Sequence, residues 1–114
     1  TTEIYTLSLH DALPIFSIND MVAMGVIDAL SQHNAQFPGN YSIVSFDNVL
    51  YTGLSRISLT TVDYHINLLA QAAIDLLLRR TNPSADAALL SSARFKVECT
   101  PQLVVRRSTA PCRS

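Results

Sequence analysis

Short apolar runs and longer stretches with helical spacing follow one another along the chain. Residues 41–46 form an apolar run rich in strand formers, which is typical of a parallel strand that is buried on both faces. Residues 59–64 are predicted to be extended because they contain three successive β-branched residues. Helical spacing predicts helices over residues 21–33 and 65–80. Strands that alternate with helices in this way predict an α/β fold with a mostly parallel sheet.

The two predicted helices differ in how their apolar residues are distributed. Residues 21–33 are predicted to bury one face, with Met24 and Ile27 lying off it. The members of that face are Val22, Val26, Ala29 and Leu30. Residues 65–80 are apolar over most of their circumference, and such a helix needs cover on more than one side.

The C-terminal region is predicted to contain two further strands. Residues 94–100 and 103–108 have strand character and are separated by Pro101, and a loop over residues 81–90 precedes them. Five of the eight basic residues lie in the last 21 positions. Because neither interleaved aromatic residues nor a nucleic-acid-binding motif accompanies them, these charges are interpreted as a solvated strand face and tail.

Composition limits the function of the chain. It has 114 residues, enough for one small domain at most, of which 48% are hydrophobic and 15% are charged, and its formal net charge is −1. No apolar run reaches the roughly 18 residues that a membrane span needs. No pattern resembles a catalytic triad, a phosphate-binding loop or a catalytic carboxylate pair, so neither an enzyme nor a cofactor is predicted.

The two cysteines bear on metal binding and on location. Cys99 and Cys112 show neither the spacing nor the histidine partners of a zinc site, so no metal is predicted. Two thiols without a secretory signal fit a reducing compartment, and the chain is therefore predicted to be cytoplasmic.

The first fifteen residues are predicted to be a non-native leader. Residues 1–15 back-translate without a mismatch to a nucleotide sequence that resembles a common sequencing-library adapter. Such leaders are set aside before the fold is considered. On this interpretation the domain begins at Phe16.

Three polar residues follow the predicted strands, at points where ligands bind in open α/β sheets. Asp47 comes directly after the apolar run 41–46. Its carboxylate either accepts hydrogen bonds from two sugar hydroxyl groups or caps the next turn. Asn19 and Asp20 follow residues 16–18, the predicted end of a truncated buried strand, and open the first helix, where each either caps the helix or contacts a ligand.

Four short segments stand in a recognisable order and spacing. They are residues 19–25 (NDMVAMG), 42–48 (SIVSFDN), 59–62 (LTTV) and 101–109 (PQLVVRRST). Each segment alone is a weak signal. Together they extend over nearly all of the chain after the leader, and they resemble the C-terminal part of the effector-binding domain of lactose/galactose-repressor (LacI/GalR) family regulators.

The resemblance implies a type I periplasmic-binding-protein-like fold, in which two lobes joined by crossover strands hold a ligand between them. Residues that match Asn19 and Asp47 contact the effector in this family, usually a sugar or a nucleobase. Residues 16–114 would then be a partial effector-binding domain. Its C-terminal lobe would comprise residues 16–64, with a crossover at 60–63, and residues 94–110, and helix 65–80 would belong to the other lobe, most of which is absent.

The resemblance also implies partners and a surface for dimerisation. An intact regulator would form a homodimer through the outer face of helix 21–33, which includes Met24, and through the loop 50–57, which includes Leu54. It would bind operator DNA through an N-terminal helix-turn-helix that this chain lacks. No membrane partner is expected.

Three positions depart from the family pattern, and one alternative stays open. Ser45 stands where the family usually has glycine, and Ile57 and Ser58 stand where it commonly has two prolines. A periplasmic sugar-binding protein of a transport system would share the fold. The Arg-Arg-Ser-Thr segment that begins at Arg106 favours the repressor.

Overall fold

The structure is a computed structural model that describes residues 13–81 and 96–111. Contacts within the chain divide these residues into two units. The sheet unit comprises residues 13–63 and 102–111, and the helix unit comprises residues 64–81 and 96–101. The predicted leader up to residue 12, the loop 82–90 and the start of the predicted strand at residues 94–95 lie outside the described residues.

Four strands form one sheet in the order β1-β2-β3-β4. The first three strands are parallel to one another, and β4 runs antiparallel to β3. The mostly parallel sheet, with a helix packed against it, confirms the predicted α/β fold. The strands are β1 (Leu13–Phe16), β2 (Tyr41–Phe46), β3 (Thr60–Asp63) and β4 (Gln102–Val104).

Strand β1 begins earlier than the predicted start of the domain at Phe16. Its first three residues belong to the predicted leader, and they pair in register with the beginning of β2, Leu13 with Tyr41 and Ile15 with Ile43. An apolar segment beside the edge of β2 satisfies that strand's backbone groups whatever its origin. The strand assignment therefore does not test the origin of residues 1–15, which stays a prediction.

Helix α1 (Asp20–Gln32) packs against the sheet with a face that differs in part from the predicted one. Ala23 and Ile27 are buried, whereas Val22 and Ala29 are exposed. The orientation of the helix is set by a polar residue. Asp20, in the first turn, is fully buried, and residues three, four and seven positions further along a helix share its side. Val26 and Leu30 of the predicted face are half-buried against the core, so apolar spacing alone predicted this face only in part.

The core of the sheet unit lies between α1 and the sheet. Four apolar residues are buried there, and seven half-buried apolar residues pack around them. The buried four are Ala23, Ile27, Ile43 and Leu59.

The segment after β4 joins the sheet through side-chain hydrogen bonds. Ser108 is fully buried; its Oγ donates to the Ile43 carbonyl (2.6 Å) and accepts from the Thr60 amide (2.7 Å). The Ser108 backbone also bonds to the backbones of Ile43 and Ser58, but beyond Val104 the segment forms no continuous ladder, so the predicted strand 103–108 is limited to β4.

The helix unit contains α2 (Ile66–Thr81), close to the predicted helix 65–80. None of its residues is buried within the described part of the chain. Residues 96–101 group with α2 instead of with the sheet unit, and 96–100 form no strand. Lys96 and Val97 lie beside Leu76 and its neighbours on α2, and the assignment of residues 94–110 to the C-terminal lobe stays a prediction.

The loop that leads into β3 is shaped by Ser58. Its φ is +44°, and its amide donates to the Leu54 carbonyl at 2.7 Å. Proline, which is common at this position in the resembled family, holds φ near −65° and has no N–H to donate. This loop therefore follows a path that the proline form cannot follow.

We expect Ser58→Pro to lower the free energy of unfolding by about 3 kcal/mol or more, because proline cannot adopt this φ and removes the bond to Leu54. Ser58→Gly should stay within about 1 kcal/mol of the unsubstituted chain, because glycine accepts a positive φ. Urea unfolding followed by circular dichroism measures both variants. A Ser58→Pro midpoint equal to that of the unsubstituted chain would contradict this loop geometry.

Candidate functional site

The carboxyl ends of β1, β2 and β3 lie side by side, because these three strands run in the same direction. Phe16 ends β1 and pairs with Val44, and Phe46 ends β2 and pairs with Val62. We call this edge of the sheet the carboxyl edge. Ligands of open α/β sheets bind at such an edge.

Asp47 lies at the carboxyl edge directly after β2, as predicted. Its amide donates to the Val62 carbonyl at 3.0 Å, and its φ is +119°, a conformation that L residues rarely adopt. Such strain costs about 1–3 kcal/mol and persists only where the surroundings impose it. Within the described part of the chain the carboxylate accepts no hydrogen bond, so it does not cap the next turn.

Asn48 continues the turn and was missed by sequence reasoning. Its φ is +56°, in the region that asparagine tolerates better than most residues. Its Oδ1 accepts from Nη2 of Arg106 (2.7 Å), and its Nδ2 donates to the Asp63 carboxylate (3.0 Å). The only signal in the sequence is an asparagine directly after the strand-end aspartate.

Arg106 does not belong to a solvated strand face, and this corrects the interpretation of the C-terminal charges. It is half-buried, and its guanidinium group donates to three groups of the sheet unit. These acceptors are Asn48 Oδ1 (2.7 Å), the Leu59 carbonyl (2.8 Å) and Thr52 Oγ1 (3.1 Å).

Asn19 caps α1. Its extended backbone places Oδ1 where it accepts from the Val22 amide at 2.8 Å. This hydrogen bond holds the Asn19 side chain at the carboxyl edge and fixes the direction of its Nδ2 group. The predicted contact with an effector stays a prediction, and Nδ2 is the part of the side chain that it would use.

Asp20 is not the cap of α1, which corrects that part of the prediction, and its contact with a ligand stays a prediction. It is fully buried, and its carboxylate accepts from Ser45 Oγ, from Thr61 Oγ1 (2.8 Å) and from the Val49 amide (2.9 Å). A buried carboxylate needs such partners, because burial without hydrogen bonds costs several kcal/mol. Ser45, where the resembled family usually has glycine, supplies one of the three donors.

Phe16 is a second feature of the carboxyl edge that sequence reasoning missed. It is the last residue of β1, yet 71% of its surface is exposed. An exposed aromatic ring beside polar groups offers a flat apolar face for a ligand. The sequence does not indicate this exposure, because a phenylalanine at a strand end is also typical of a buried core.

The two residues predicted for a dimer surface have different environments. Met24 is half-buried and packs against the core, because it follows Asp20 by one helical turn, so the outer face of α1 does not include it. Leu54 is 57% exposed. Met21 and Leu50 are also exposed, at 66% and 96%, and the Tyr51 hydroxyl contacts the Met21 sulfur.

Residues 13–81 and 96–111 contain neither a cluster of metal-ligating side chains nor a membrane-spanning helix. In these residues no three or more histidine, cysteine or acidic side chains converge as metal ligands would. The same part of the chain contains no helix with the length and hydrophobicity needed to cross a membrane. Cys99 has a free, half-buried thiol.

The sequence of residues 3–109 matches the family described as the periplasmic binding protein-like domain. The chain belongs to this family. The match covers the sheet unit and the helix unit together, and it includes the residues that were compared with LacI-family regulators above.

Individual relatives narrow the assignment. The HTH-type transcriptional repressor PurR of Pasteurella multocida is 32% identical over 101 residues, which cover 87% of this chain and 28% of that protein. A LacI-family regulator of Enterococcus faecalis, solved with bound ribose, superposes with a TM-score of 0.77 at 31% identity, over 89% of this chain and 36% of that one. A putative LacI-family regulator of Sanguibacter keddieii superposes with a TM-score of 0.73 at 31% identity, over 86% and 36%.

These likenesses confirm the resemblance to the effector-binding domain of LacI-family regulators. The chain spans less than a third of the curated PurR repressors and about a third of the solved regulators that it matches. It therefore corresponds to a part of that domain.

We expect Asp20→Asn to lower the free energy of unfolding by at least about 2 kcal/mol, because an amide cannot accept from all three donors and bonds to a charged group contribute about 1.5–3 kcal/mol each. Asp28→Asn, on the same helix but exposed and bonded to Gln32 alone, should change it by less than about 0.5 kcal/mol. Urea unfolding of both variants tests the difference. Equal stability of the two would show that the Asp20 network contributes little.

Proposed function

We propose that the chain is part of the effector-sensing domain of a transcriptional repressor, where it binds a small sugar-like ligand. The whole regulator would respond to the ligand because two arrangements of its lobes bind that ligand with different affinity, which changes its affinity for operator DNA. The operator would be bound by an N-terminal domain of the whole regulator.

The Asp47 carboxylate is the observation that supports this function most directly. It stands at the carboxyl edge on a strained backbone, half-buried, with its oxygens unused inside the described part of the chain. A carboxylate in that position suits the vicinal hydroxyl groups of a sugar, which donate two hydrogen bonds to its two oxygens.

Two neighbours complete the proposed ligand surface. The Nδ2 group of Asn19 would donate to a hydroxyl or ring oxygen, since its Oδ1 is engaged by the helix cap. The exposed ring of Phe16 would pack on the apolar face of the ligand. Sugar sites in proteins combine such planar polar groups with an aromatic face for the same chemical reason.

We also propose that the intact regulator forms a homodimer. Support comes from the exposed apolar residues Met21, Val22, Leu50 and Leu54 near the start of α1 and the turn after β2. Apolar side chains exposed together mark interaction surfaces more often than single ones do. Met24 is left out of this surface because it packs toward the core.

The alternative, a periplasmic sugar-binding protein of a transport system, is not favoured, because the relatives reported above are described as transcriptional regulators. The same relatives support a role without catalysis and a cytoplasmic location. The genomic sequence upstream of Phe16 tests the choice. A helix-turn-helix there would support the repressor, and a secretory signal would overturn it.

The ligand proposal is tested with D-ribose, the sugar that two of the solved relatives contain. Millimolar D-ribose added to the ¹⁵N-labelled chain should shift the amide signals of Asp47, Asn48 and Asn19. Asp47→Asn should weaken the affinity at least tenfold, because each bond to a charged group is worth about 1.5–3 kcal/mol and about 1.4 kcal/mol is tenfold in affinity.

The same variant separates binding from folding. Its free energy of unfolding should change by less than about 0.5 kcal/mol, because the carboxylate supports no bond within the described residues. Asp28→Asn, on the exposed side of α1, serves as the charge-matched control and should retain the affinity. An Asp47→Asn chain that binds D-ribose as well as the unsubstituted one would refute the assigned role.

A further inference from the structure

The side chain of Arg106 connects the C-terminal segment to the turn that carries Asp47. Its Nη1 donates to the Leu59 carbonyl (2.8 Å) and to Thr52 Oγ1 (3.1 Å), and its Nη2 donates to Asn48 Oδ1 (2.7 Å). Two of these acceptors belong to the loop between the turn and β3. The third belongs to the turn itself.

Asn48 is held from both ends of its amide group. Its oxygen accepts from Arg106, and its nitrogen donates to the Asp63 carboxylate at 3.0 Å. Its backbone amide adds a longer contact to Thr61 Oγ1 (3.3 Å). The residue that follows Asp47 is therefore fixed by C-terminal and β3 groups that are far away in the sequence.

A fixed Asn48 matters because the turn is strained. Asp47 and Asn48 both have positive φ, at +119° and +56°. Two such residues in succession revert to ordinary conformations unless other contacts hold them. Asp47 contributes only the bond from its amide to the Val62 carbonyl, since its side chain makes no such contact within the described residues, so its neighbours must supply the rest.

We infer that Arg106 is a positioning residue for the ligand-binding site: by holding Asn48, it keeps the Asp47 carboxylate in its ligand-facing orientation. This inference rests on the proposed sugar-binding role of Asp47. Arg106 does not touch the ligand in this account, and it acts through the Asn48 side chain alone.

The adjacent Arg107 provides a matched control in the same segment. Its side chain bonds to the Ser55 carbonyl and to Ser58 Oγ, in the loop before β3, and has no hydrogen bond to the turn. Lysine is the informative replacement at both positions. It keeps the charge, but a single ammonium group cannot span the three acceptors that the Arg106 guanidinium reaches.

The backbone contributions of Arg106 survive the substitution. Its amide donates to Thr60 Oγ1 (2.9 Å) and its carbonyl accepts from the same hydroxyl (3.2 Å), so Arg106→Lys retains the backbone link to β3. We therefore expect Arg106→Lys to fold, with an unchanged circular dichroism spectrum, while the turn becomes mobile.

The test is amide hydrogen exchange on the whole ¹⁵N-labelled chain, read at Asp47 and, as a reference, at Ile43, whose amide bonds to the Ser108 carbonyl. Arg106→Lys should speed exchange at Asp47 at least tenfold and leave Ile43 unchanged, whereas Arg107→Lys should change neither. Asn48→Gly tolerates the positive φ and removes both side-chain bonds, so it should speed exchange at Asp47 as well.

The double variant decides whether Arg106 acts through Asn48. In the Asn48→Gly background, Arg106→Lys should add less than a twofold change at Asp47, because the contact that it weakens is already absent. An equal effect in both backgrounds would overturn the inference, as would equal acceleration at Asp47 and Ile43, which indicates general support of the fold. No effect of Arg106→Lys would overturn it too.

Binding of D-ribose gives a separate result. Arg106→Lys should weaken the affinity several-fold and Arg107→Lys should not. If D-ribose moves no signal of the unsubstituted chain, the sugar proposal fails, and the exchange data still decide whether Arg106 positions the Asp47 turn.

Discussion

The buried carboxylate of Asp20 is the interaction on which the rest of the sheet unit depends. It lies out of contact with water, so its oxygens need donors from the protein. These come from Ser45 in β2, from Thr61 in β3 and from the turn after β2, positions 25 to 41 residues further along the chain. One side chain thereby links the start of α1 to the register of two strands. The same contact sets the rotation of α1, because Ala23 and Ile27 follow on its side of the helix.

The turn after β2 receives support from two networks, and neither uses the side chain of Asp47. The Asp20 carboxylate holds the Val49 amide, and Arg106 holds Asn48. The backbone of Asp47 is thus fixed while its carboxylate keeps its hydrogen-bonding capacity. Both properties favour ligand binding. A side chain on a rigid backbone loses little conformational freedom when a ligand binds, and a carboxylate without an internal hydrogen bond breaks none in order to bind.

The sequence predicts those features whose cause is local. The range of α1, the strand β2 and the place of Asp47 after it all follow from spacing and from a polar residue at a strand end. The buried face of α1 and the role of Arg106 do not, because their causes are distant contacts. Arg106 meets Asn48 across 58 positions, and no periodicity records such a pair. Ser58 shows the same limit, since its positive φ is imposed by the loop around it.

Two of the departures from the family pattern fall in the supports of the site. The Ser45 hydroxyl joins the Asp20 network, and Ser58 reshapes the loop before β3, while the two residues proposed to bind the ligand, Asn19 and Asp47, lie outside these changes. Such changes affect the contacts that support the carboxyl edge more than they affect the side chains that face a ligand there. In the proposed role, the exposed ring of Phe16 would also contribute to the choice among effectors. A flat aromatic ring packs equally well on the face of a sugar or of a nucleobase, so it would select a ligand by its size and shape. The Asp47 carboxylate would instead select a ligand that carries hydrogen-bond donors.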